Sequence, residues 1–95
     1  MEIEYSADFR KQYLKANVRI QNKMNVCLRI FKNNPDDLQL NNHSLKRNYL
    51  GFRSINITSD WRAIYIEKTE GANKVAYFVA LGTHDMLYSN KSRIN

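Results

Sequence analysis

The spacing of apolar residues divides this chain into a helical first third and a strand-rich second half. Residues Glu2–Tyr5 alternate polar and apolar, the period of a short strand. Ser6 stands where a helix cap belongs, and Asp8 falls in the positive first turn. Phe9, Tyr13 and Leu14 then form an apolar stripe, with Arg10, Lys11 and Lys15 around it. Asn17 opens a second helix whose apolar set is Ile20, Met24, Cys27, Leu28 and Phe31, spaced i, i+4, i+7, i+8, i+11 along one face. Asn33-Asn34-Pro35 ends it, because proline disfavours a helical residue before it and cannot continue the hydrogen-bond ladder.

No period holds over residues 36–50, which read as an irregular connection with room for a short helical turn. At about fifteen residues this is long for a compact domain, and such loops often carry function. Three strands follow. Residues 52–58 put Ile55 and Ile57 on one face and Ser54, Asn56 and Thr58 on the other. Residues 61–68 are rich in β-formers. Strict alternation there places Arg62 with Ile64 and Ile66, which read as core, so Arg62 reaches an open face only through a bulge or an edge position. Glu70-Gly71-Ala72-Asn73 reads as a hairpin turn. Residues 74–81, apolar at nearly every position, read as a central strand covered on both faces. Gly82-Thr83-His84-Asp85 ends that strand, and residues 86–95 form a tail of no assigned structure. The order β-α-α-β-β-β predicts an α+β single domain over residues 1–95, with two N-terminal helices on one face of a mainly antiparallel twisted sheet. The other face is left for a ligand.

Composition narrows the class. A chain of 95 residues, 43% hydrophobic and 25% charged, builds one modest core and has the composition of a soluble globular protein. Fifteen Lys+Arg against nine Asp+Glu give a formal charge of +6, which points to a polyanionic partner. Arg10, Lys11, Lys15, Arg19, Lys23, Arg29 and Lys32 on the helices either belong to that footprint or form a solvated face. Cys27 is the only cysteine, so it forms neither an internal disulfide nor a cysteine metal cage, and it reads as a small core residue in a reducing compartment. The opening Met1-Glu2-Ile3-Glu4-Tyr5 lacks the basic-then-apolar pattern of a signal peptide. No stretch approaches the ~20 apolar residues that cross a bilayer. A cytoplasmic protein with no membrane partner is expected, and the Asn-x-Ser/Thr triplets at Asn42, Asn56 and Asn90 read as chance matches.

The chain has two histidines, His43 in the long connection and His84 just after the central strand. Imidazole titrates near pH 6.5, so a pair can serve as general base and general acid at neutral pH. RNA cleavage needs that pairing: the 2′-hydroxyl loses a proton as it attacks phosphorus, and the departing 5′-oxygen gains one. Asp60 can take one of these roles, orient a histidine, or simply form a turn. Tyr88 can donate a proton, stack on a base, or pack the C-terminal segment. Lys46, Arg47, Arg53 and Arg62 are candidates to hold phosphate and stabilise transition-state charge. The spacing offers no HExxH or His-x3-His zinc pattern, no Gly-rich phosphate loop and no Gly-x-Ser-x-Gly elbow, so no metal or cofactor is expected. Taken singly, each of these residues also has an ordinary structural role.

Read together, the blocks say more. Asn42-His43-Ser44-Leu45-Lys46, Gly51-Phe52-Arg53-Ser54-Ile55, Asp60-Trp61-Arg62-Ala63-Ile64-Tyr65 and Gly82-Thr83-His84-Asp85-Met86-Leu87-Tyr88 closely resemble the RelE/ParE toxin superfamily. Within it they are most similar to the YafQ-type branch of bacterial type II toxin–antitoxin systems. The opening Ser6-Ala7-Asp8-Phe9-Arg10-Lys11-Gln12-Tyr13 fits the same pattern, so the resemblance spans nearly the whole chain. It implies a ribosome-dependent mRNA endoribonuclease that cuts A-site codons without a metal. The implied partners are a cognate antitoxin, the 70S ribosome and mRNA, with operator DNA bound only through the antitoxin complex. It further implies that His43, Asp60, His84 and Tyr88 occupy catalytic positions, with Arg62 and Lys46 as phosphate contacts. One position departs from the pattern. Where the YafQ type often has a histidine, this chain has Asn56, which can hydrogen-bond RNA but cannot exchange a proton at neutral pH. Weight therefore shifts to the set His43, Asp60 and His84. Two other readings stand beside this one: a ParE-like protein that poisons DNA gyrase by binding, and a family member that only forms an antitoxin–operator complex.

Overall fold

The computed structural model describes residues 1–88, so most of the expected tail, and the triplet at Asn90, lie outside the described residues. The elements are β1 (Glu2–Tyr5), α1 (Ala7–Lys15), α2 (Val18–Asn33), β2 (His43–Ser44), β3 (Arg53–Asn56), β4 (Trp61–Glu70), β5 (Asn73–Thr83) and α3 (His84–Tyr88). Both long helices start where side chains can cap them. Ser6 accepts from the Phe9 N–H at 3.0 Å, and Asn17 accepts from the Ile20 N–H at 2.9 Å. α2 buries Ile20, Met24, Cys27 and Phe31, as its spacing predicts. α1 buries only Phe9. Leu14, expected in the apolar stripe, is 74% exposed. It follows Phe9 by five residues and so lies ~140° round the helix from it.

The sheet has five strands in the order β1-β5-β4-β3-β2. β1 runs parallel to β5, and every other pair is antiparallel. Glu70 pairs with Asn73 across a tight turn in which Gly71 takes φ +62°, the conformation glycine adopts without strain. The expected irregular connection over residues 36–50 is more ordered than its sequence suggests. It holds two 3₁₀ turns, Leu38–Leu40 and Arg47–Tyr49, and the two-residue strand β2.

The helices cover one face of the sheet. Phe31 sits edge-on to Tyr65 at 5.0 Å and to Phe78 at 5.4 Å, with Ile55, Ile57, Ala63 and Leu81 in the same cluster. This settles the phase of β4 against the sequence expectation. Ala63 and Tyr65 face the helices, so Arg62, Ile64 and Ile66 point to the opposite face. Ile64 misleads because it is fully buried on that opposite face, across from the equally buried Ser54. A bulge does exist, but on β5: Tyr65 pairs with Phe78 while Ile64 pairs with Ala80. The extra residue, Val79, lets Phe78 and Leu81 both reach the core although they are three positions apart. Arg62 needs no bulge to reach the open face.

Candidate functional site

On the sheet face away from α1 and α2 lies a groove of about 350 Å³, lined by Asn41, His43, Leu45, Asn56, Arg62, His84 and Tyr88. Its first wall comes from the long connection. Asn42 ties that segment down: its Nδ2 donates to Pro35 O at 2.9 Å and to Tyr65 Oη at 2.7 Å, and its Oδ1 accepts from Arg53 Nε at 2.8 Å. Burial raises the Tyr65 phenol above its ordinary value, with the Asn42 hydrogen bond opposing the shift, so the hydroxyl stays neutral. Pairing of His43 with Ser54 across β2 and β3 then sets the histidine at the groove. Its Nδ1 lies 2.9 Å from Asn41 O, and Asn41 itself is left-handed with φ 48° and ψ 49°.

The floor comes from β3 and β4, where Asn56 pairs with Arg62. The Arg62 guanidinium is steadied by the turn between these strands, donating through Nη1 to Thr58 O at 2.9 Å and Trp61 O at 3.1 Å. Thr58 Oγ1 folds that turn by accepting from the Asp60 and Trp61 N–H groups at 3.2 and 3.1 Å. Asn56 Oδ1 and Ser54 Oγ are buried without a hydrogen-bond partner among the described residues. Beneath them Cys27 points its thiol at Asn56 O, 3.8 Å away, and burial pushes that thiol's pKa up.

The second wall is α3. Thr83 Oγ1 accepts from the Met86 N–H at 3.1 Å, and Gly82 leaves room for Leu87: a Cβ there would stand 3.3 Å from Leu87 Cδ2. The His84 N–H donates to Asp60 O at 2.9 Å. One turn on, the Tyr88 ring packs 4.7 Å from the His84 ring. Tyr49 completes the wall, edge-on to Tyr88 at 5.7 Å and donating through its hydroxyl to Leu87 O at 3.2 Å.

Of the residues singled out in the sequence, His43, Asn56, Arg62, His84 and Tyr88 come together in the groove. Lys46 and Arg47 are exposed on the adjoining segment and do not line it. Arg53 lies on the helix-facing side, opposite Tyr65, where it holds Asn42. The Asp60 side chain is exposed in the β3–β4 turn, and it is the main chain of Asp60 that meets His84. Asn41, Leu45 and the supporting Tyr49 were not singled out. The Asn41-Asn42 pair carried the available signal, since asparagine is enriched at left-handed positions. A larger hollow of about 410 Å³ between α1 and α2, lined by Tyr5, Phe9, Arg10, Tyr13, Leu14, Asn25 and Leu28, contains no histidine or carboxylate. The groove, by contrast, presents two imidazoles, a restrained guanidinium and a phenol.

The chain matches the family model described as bacterial toxin of type II toxin-antitoxin system, YafQ, over residues 1–89. No curated protein sequence matches it. Among solved structures it is similar to YafQ from E. coli strain BL21(DE3), at 27% identity and TM-score 0.75 over 92% of this chain and 97% of that one. It is also similar to a chain of the E. coli DinJ-YafQ complex, at 30% identity and TM-score 0.71 over 92% and 97%. A chain of the RelB-RelE antitoxin-toxin complex from Methanococcus jannaschii shares the fold, at 14% identity and TM-score 0.65 over 90% and 95%.

Proposed function

The chain belongs to the YafQ family of bacterial toxins from type II toxin–antitoxin systems, and we propose that it is an endoribonuclease that cuts mRNA in the ribosomal A site. The observation that carries this reading is the convergence of His43 from β2, Arg62 from β4 and His84 from α3 on one polar groove. These elements are distant in sequence, and a binding-only toxin has no need for two proton-exchanging groups there.

In the reaction the 2′-oxygen gives its proton to the base and attacks phosphorus, and the bond to the 5′-oxygen breaks as the acid protonates that oxygen. His43 takes the base role in preference to Asp60, because His43 lines the groove and the Asp60 carboxylate does not. His84 is the acid. Arg62 steadies the charge gathering on the phosphoryl oxygens. Tyr88, held edge-on by Tyr49, stacks on or orients the scissile nucleotide. Asn56 serves as a hydrogen-bonding group to RNA.

The seven basic residues of α1 and α2 named above are all exposed and supply contacts to ribosomal RNA. A cognate antitoxin, as DinJ is for YafQ, would cover this +6 domain and block RNA. Operator DNA is then bound through the antitoxin complex, and the site of action is the cytoplasm.

Primer-extension mapping of mRNA ends, with and without ribosomes, tests the reading. New 5′ ends inside codons, formed only when the message is being translated, are expected. Intact mRNA together with loss of gyrase supercoiling would overturn it in favour of a binding toxin.

A further inference from the structure

The contact between His43 Nδ1 and Asn41 O, at 2.9 Å, fixes where the ring hydrogen sits. A carbonyl oxygen can only accept, so the hydrogen bond requires a hydrogen on Nδ1. A neutral imidazole carries one N–H, which leaves Nε2 with a bare lone pair. The carbonyl points this way because Asn41 is left-handed, at φ 48° and ψ 49°. Few L-residues accept that conformation, and asparagine is foremost among them. The neighbourhood holds it there. The Asn41 N–H donates to Leu38 O at 3.2 Å, and the next residue is the triply bonded Asn42. The His43 backbone is held by its pairing with Ser54.

We propose that Asn41 is a positioning residue: its left-handed backbone aims its carbonyl at His43 Nδ1, holds the hydrogen there, and so makes Nε2 the atom that accepts the substrate proton. This rests on the reading of His43 as the general base. The carbonyl costs nothing to reorganise at the moment of reaction, because the loop has already set it.

Nitrogen-15 NMR of the imidazole rings tests it directly on the full chain, at a pH where His43 is neutral. The expected signature is a protonated Nδ1 and a bare Nε2. Asn41→Gly keeps the left-handed backbone and its carbonyl, so it should keep that tautomer in the nitrogen-15 spectrum. Asn41→Val disfavours the left-handed backbone, so the hydrogen should move to Nε2 and cleavage should fall on the order of tenfold, the factor one hydrogen bond carries. A wild-type ring protonated on Nε2 would overturn the proposal, as would Asn41→Val with an unchanged tautomer. Should Asn41→Val fail to fold, the wild-type spectrum and Asn41→Gly decide. An Nδ1-protonated His43 in a chain that cuts no translated mRNA would support the role of Asn41 while overturning the ribonuclease reading.

Discussion

In His84→Ala the imidazole leaves an exposed position at the start of α3, while the backbone N–H that donates to Asp60 O at 2.9 Å remains. Among the described residues the structural cost is the ring contact with Tyr88 at 4.7 Å, of a kind worth roughly 0.5–1.5 kcal/mol. Alanine is the better helix former, which offsets part of that. Net stability should therefore change by no more than about 1 kcal/mol. If His84 is the acid, as proposed, the catalytic cost should be much larger. Loss of a general acid lowers the rate by about 10²–10⁴, or roughly 2.7–5.4 kcal/mol on the barrier. Urea unfolding and single-turnover cleavage of ribosome-bound mRNA, run on the same preparation, read the two terms separately. A folded variant that cleaves within about threefold of wild type would refute the assignment of His84 as the acid. A stability loss above about 2 kcal/mol would refute the claim that the side chain is peripheral to the fold.

Leu87→Ala should show the opposite balance. Leu87 is 6% exposed and anchors α3 beside Gly82, so its truncation should cost about 2–3 kcal/mol in urea unfolding and weaken cleavage by loosening the wall that carries His84. An unchanged unfolding midpoint would show that α3 is held by something else. Asn42→Ala removes three hydrogen bonds and should destabilise by roughly 2–3 kcal/mol, with faster amide exchange through residues 36–42 than in α2. Uniform acceleration across the chain would count against a local role in tying down the loop. Cys27 should resist a thiol reagent at pH 8 in the native protein and react on unfolding, because burial raises its pKa and keeps the thiolate scarce. Rapid native labelling would contradict its place in the core.

Local chemistry made much of the fold legible. Ser6 and Asn17 mark the helix starts because each can accept a hydrogen bond from a free N–H of the first turn. The α2 stripe names its buried face because 3.6-residue periodicity maps directly onto burial. Glu70-Gly71-Ala72-Asn73 names its hairpin because a tight turn needs a residue that tolerates positive φ. In each case the interaction that decides the conformation lies within a few residues of the position it decides. The blocks around His43, Arg62 and His84, read as a set, also carried the family resemblance that the family match confirms.

What the sequence left open depends on contacts distant along the chain. The face of Arg62 turned on which neighbours in β4 were core, and Ile64 is buried on the sheet face opposite the helices. A one-residue error of phase reverses every side chain in a strand, and local pattern gives no warning when both faces are partly covered. Likewise nothing local to Arg53 shows that it lies on the helix-facing side, opposite Tyr65 in the register, with its Nε donating to Asn42. Nothing local to Asp60 shows that its side chain stands exposed in the turn while its carbonyl meets the His84 N–H. The sequence by itself determined the elements, their caps and the residue types able to move protons. Tertiary structure decided which of those residues share a groove, because that choice is made by strand register and by hydrogen bonds spanning tens of residues, which no local propensity encodes.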